Sequence, residues 1–120
     1  MSELGRCILA IQDKNVARMG EFSVYRDESG AFSPPTVDTG IDFTHLYIMP
    51  KAYQNSNFDG LYAYVENSLY WLDDYSNANK WTEINAYFLP TYLKITGQSF
   101  VFTPEYGEEG ETRDYLYFAW

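Results

Sequence analysis

The chain has 120 residues, 46 % of them hydrophobic and 21 % charged, enough for a single domain spanning 1–120 with its own core and outside the composition of disordered chains. With 17 acidic and 8 basic residues the net charge is −9, so the surface repels phosphate backbones and direct nucleic-acid binding is disfavoured. The lone Cys7 excludes an intramolecular disulfide, and no stretch approaches the ~18 apolar residues of a membrane-spanning helix.

Along the chain, "MSELGRCILAIQDKN" lacks a basic region ahead of a long apolar run, so no secretory leader is expected and synthesis in a reducing cytoplasm follows. Period-2 alternation dominates and helical periodicity is missing. Cys7–Gln12 and Glu21–Arg26 read as the first two strands, and "RDESGAFSPPTVDTG" as a turn followed by an extended loop. Ile41–Ile48 reads as a third strand ended by Pro50, with Gln54–Gly60 as a polar connection. "LYAYVENSLYWL" predicts a hairpin turning near Asn67. "DDYSNANKWTE" predicts a loop or a single helical turn, and "INAYFL" a strand ended by Pro90. "TYLKITGQSFVF" predicts a hairpin turning at Gly97-Gln98, with positive φ at Gly97. "RDYLYFAW" closes the chain as a strand. About eight or nine short strands with regular turn signals predict an all-β fold, an antiparallel sandwich or small barrel.

The aromatic content is unusual: 12 Tyr, 8 Phe and 3 Trp make 19 % of the chain. In the Leu61–Asp73 hairpin, alternate side chains leave on opposite faces. One set is Leu61, Ala63, Val65, Tyr70 and Leu72, which reads as a core face. The other is Tyr62, Tyr64, Glu66, Leu69, Trp71 and Asp73, which reads as an aromatic patch edged by carboxylates. Shifting the turn by one residue changes the cross-strand partners but preserves both sets. Tyr62, Tyr64, Trp71, Asp73 and the nearby Trp81 are therefore the candidate interface or ligand-binding residues. Three readings stay open for them: a covered face, a subunit interface, or a platform on which sugar rings stack. The second hairpin is simpler, with Leu93, Ile95, Phe100 and Phe102 inside and Tyr92, Lys94, Val101 and Thr103 outside.

Catalytic chemistry is sparsely provided for. The only histidine, His45, alternates with Ile41, Phe43 and Tyr47 and reads as a half-buried structural residue. No nucleophile elbow, phosphate-binding loop, dinucleotide fingerprint or zinc motif is present. The Asp73-Asp74 pair points apart in a strand, and "LDDYSNANKWTE" fails the EF-hand spacing. The expectation is no enzyme, no cofactor and no metal site. In "PEYGEEGETRD", Glu105, Glu108, Glu109, Glu111 and Asp114 face only Arg113, an acidic loop that reads as solvated or as a nucleic-acid mimic toward a basic partner.

"YLKITGQSFVFTPEYGEEGETRDYLYFAW" resembles the end of short phage tail and tail-fibre accessory proteins: a hairpin, a loop, then a Tyr-rich final strand. "GEFSVYRDESGAF" resembles their strand, polar turn and return strand. The resemblance implies a non-enzymatic, multimeric virion component acting through contacts with neighbouring subunits or a host-surface ligand. Its implied partners are protein subunits, with a glycan as the alternative, and no membrane. The expected function is thus an interaction or structural protein with an aromatic surface; the alternatives are a carbohydrate-binding module and an acidic inhibitor.

Overall fold

The computed structural model describes residues 17–51, 61–73, 80–105 and 107–120. The strand expected at Cys7–Gln12 and the connection at Gln54–Gly60 lie outside them, as do Asp74, Ser76, Asn77 and Asn79.

Ten strands are present among the described residues: β1 (Arg18–Arg26), β2 (Phe32–Ser33), β3 (Val37–Asp38), β4 (His45–Pro50), β5 (Tyr62–Val65), β6 (Ser68–Asp73), β7 (Lys80–Glu83), β8 (Leu93–Thr96), β9 (Ser99–Phe102) and β10 (Thr112–Ala119). One helical turn, α1 (Leu89–Tyr92), precedes β8. They form two open antiparallel sheets, a seven-stranded one in the order β2-β1-β10-β4-β5-β6-β7 and a three-stranded one in the order β3-β9-β8. The fold is the expected all-β class, and of the two architectures it is sandwich-like; neither sheet closes into a barrel.

Alternation builds the core. β1 turns Phe22 and Val24 inward, β4 turns Leu46 and Ile48, and β10 turns Tyr115, Tyr117 and Ala119, all buried. The small sheet answers with Leu93, Phe100 and Phe102, which bears out the inside set of the second hairpin. Rings interlock edge to face across the layers: Phe22 with Phe100 at 5.4 Å and 80°, Tyr62 with Phe102 at 4.9 Å and 67°. Such contacts add roughly 0.5–1.5 kcal/mol each beyond the area they bury. Gly20 on β1 is part of this packing. A Cβ there would sit 2.8 Å from the Tyr117 ring, so the glycine lets that ring lie directly on the neighbouring strand.

Both hairpin turns fall where the residues demand. Glu66 and Asn67 take φ of +46° and +78°, the doubly left-handed pattern of a type I′ turn, and this sets Tyr62 opposite Trp71 and Tyr64 opposite Leu69. Gly97 takes φ +60°, as expected, and aligns Leu93 with Phe102.

Four expectations need correction. Ile41–Thr44 is loop, and β4 starts at His45. Ile41 is nonetheless buried, because Thr39 ties this loop to the second hairpin, its Oγ1 donating to the Gln98 carbonyl at 2.7 Å. The stretch "SPPTVDTG" contains β3, paired with β9. Lys80–Glu83 is strand rather than loop, because its residues complete a ladder on β6. Finally, residues 84–88 are no strand: Asn85 accepts from the backbone N–H of Tyr87 and Phe88 and starts the turn that leads into α1. Pro90 sits at the beginning of that helix, where its missing N–H has no intrahelical partner to lose.

Candidate interaction surface

The two side-chain sets of the β5–β6 hairpin are those read from alternation, but their orientation is the reverse of the expectation. Tyr62 and Leu69 are 2 % and 1 % exposed and belong to the core. Tyr64 and Trp71 are half-buried and pack against it. The physical reason is size. The inner face must reach the small sheet across roughly 10 Å, and Tyr62 and Trp71 span that gap where Ala63 cannot. Tyr64 also anchors the turn, its hydroxyl donating to Asn67 Oδ1 at 3.1 Å. Asp73 pairs with Lys80 through the backbone ladder. The Tyr62/Tyr64/Trp71 face therefore packs against the core rather than forming the outward patch expected of it.

The set expected inside lies on the side of the large sheet away from the small one; Ala63 is nonetheless buried, at 6 % exposure, while Leu61, Val65, Tyr70 and Leu72 are half-buried, and the set continues across the large sheet. Register joins Met19, Phe118, Tyr47, Ala63, Tyr70 and Glu83 in one row over six strands, from β1 to β7. A parallel row begins with Glu21, Leu116 and Met49 on β1, β10 and β4 and ends with Leu72 opposite Trp81 on β6 and β7. On the other flank Trp120 exchanges two backbone hydrogen bonds with His45, at 2.9 and 3.0 Å. Its indole stacks on the His45 ring at 5.0 Å and 16° and meets Tyr47 edge-on at 4.9 Å. His45 Nδ1 lies 2.9 Å from Thr44 Oγ1. His45 is thus the half-buried structural histidine read from the sequence, held within an aromatic cluster.

All ten described strands belong to the two sheets, and the small sheet packs on the opposite side of the large one. No described strand lies over this outer face. Met19 is 55 % and Trp81 46 % exposed; Tyr47, Tyr70, Leu72, Leu116 and Phe118 are half-buried. Charges are confined to its margins. Lys51 donates to Glu21 at 3.0 Å, Ser23 donates to Asp114, and Glu83 ends the first row at β7. Of the five candidates, Trp81 alone lies on this surface. Sequence reasoning missed Tyr47, Tyr70, Phe118 and Trp120. The available signal was β10, which with its Leu116 and Phe118, and Trp120 just beyond it, is apolar on both faces.

A separate exposed pair, Tyr87 (83 %) and Phe88 (53 %), occupies the crossover between the sheets, with its rings edge to face at 5.1 Å.

The acidic loop is anchored rather than free. Arg26 is a cation that organises it: the guanidinium donates to the carbonyls of Gly30 and Gly107 and lies over the Phe32 ring at 5.1 Å. The Arg26 backbone bonds Gly110 and Glu111. These contacts use backbone oxygens and leave Glu105, Glu108, Glu109 and Glu111 exposed. In the facing turn, Asp27 Oδ1 accepts from the hydroxyl and N–H of Ser29 and from the N–H of Ala31, which lowers its pKa, the Ser29 hydroxyl contributing most.

Among the described residues, the hydroxyls of Tyr62 and Tyr115 are buried, that of Tyr115 without a hydrogen-bond partner. Desolvation raises both phenol pKa values, that of Tyr115 to about 12. Among the described residues no three His, Cys, Asp or Glu side chains converge on a metal-binding position, and no helix is long and apolar enough to cross a membrane. Comparison with protein-family models, with curated proteins and with solved structures finds no match.

Proposed function

We propose that this chain is a non-enzymatic interaction protein, a building block of a multi-subunit assembly whose partner covers the outer face of the seven-stranded sheet. The observation that carries the reading is the continuous row Met19–Phe118–Tyr47–Ala63–Tyr70, apolar over five adjacent strands in a chain of net charge −9. Soluble monomers seldom present contiguous apolar patches beyond a few hundred Å² without a binding role, and aromatic-rich, charge-poor centres are typical of subunit contacts. A phage-like particle is the setting suggested by the hairpin resemblance; co-purification of the chain with such a particle is the check on that part.

Hydroxyl-radical footprinting of the dilute protein tests the surface itself. Tyr47, Tyr70, Phe118 and Trp81 should oxidise readily, while Tyr62, Phe100 and Phe102 stay protected. Protection of Tyr70 and Phe118 in a monodisperse monomer would remove the basis for a partner.

One observation favours a second reading. Trp81 and Tyr87 are exposed on β7 and on the crossover that follows it, and flat exposed rings are what sugar recognition requires. Quenching or blue-shift of Trp81 emission by soluble polysaccharides, lost in Trp81→Ala, would support a glycan ligand; unchanged emission would count against it.

A further inference from the structure

We draw no further inference here: the strongest candidate, the apolar outer face of the seven-stranded sheet around Tyr47, Tyr70 and Phe118, carries nothing because nothing in the structure shows what covers it.

Discussion

Leu69 and Leu72 offer a controlled test of the inverted hairpin, because they are the same residue type on one strand with opposite orientations. Leu69 is 1 % exposed in the core; Leu72 is half-buried, opposite Trp81 on the outer face. Leu69→Ala leaves a cavity that the flanking sheets fill only partly, so it should cost about 3 kcal/mol, within the roughly 2.7–5 kcal/mol found for buried leucines. At Leu72 solvent fills the space and only part of the transfer free energy is lost, about 1 kcal/mol. The difference of about 2 kcal/mol corresponds to roughly 8 °C in melting temperature for a chain of this size. Urea denaturation with linear extrapolation measures both. Equal costs, or a larger one for Leu72→Ala, would show that the outer face is filled in the monomer and would refute the assignment of inside and outside.

Three further outcomes are expected. Tyr115→Phe removes a buried hydroxyl that has no partner, so it should stabilise the protein by about 1 kcal/mol at pH 8, read by urea midpoint. Its phenol is held up at about 12 in the fold by burial, against about 10 when unfolded. The folded state therefore retains its proton after the unfolded state has lost its own, and stability falls as pH rises from 10 towards 12. Tyr115→Phe should flatten that fall, and an unchanged slope would argue that the phenol is not the group responsible. Glu66 at φ +46° is a side chain in a region suited to glycine, so Glu66→Gly should raise stability by about 0.5–1 kcal/mol, detectable as a higher melting temperature. Gly20→Ala should lower stability by about 1–3 kcal/mol, since its Cβ would press on the Tyr117 ring; a neutral thermal melt would show that the ring moves aside freely.

Strand content, both turn positions and the membership of both hairpin faces were legible from alternation and turn chemistry. Orientation of the first hairpin was not. Both of its faces are apolar, so hydrophobicity ranks them poorly, and the decision falls to volume: Tyr62 and Trp71 reach the opposing sheet and Ala63 does not. The second hairpin was readable because Lys94 marks one face as outside. Lys80–Glu83 resembled a loop because the strand is specified by its partner, Leu72 opposite Trp81, and a ladder contact to a residue nine positions away leaves little local trace. The outer surface escaped notice for a related reason. Its row draws one residue from each of six strands, and only Ala63 and Tyr70 share a hairpin.

The rims of the large sheet restrict how copies of this chain can join. On one side the last strand, β2, has two residues and is followed at once by Pro34 and Pro35, neither of which has an N–H to offer a neighbour. On the other, β7 has four residues before the turn at Asn85 carries the chain toward the small sheet. Lateral ladder growth finds almost no template on either flank, so a filament cannot propagate in the hydrogen-bonding direction. Any contact between copies through the large sheet would therefore have to use its broad faces rather than its rims.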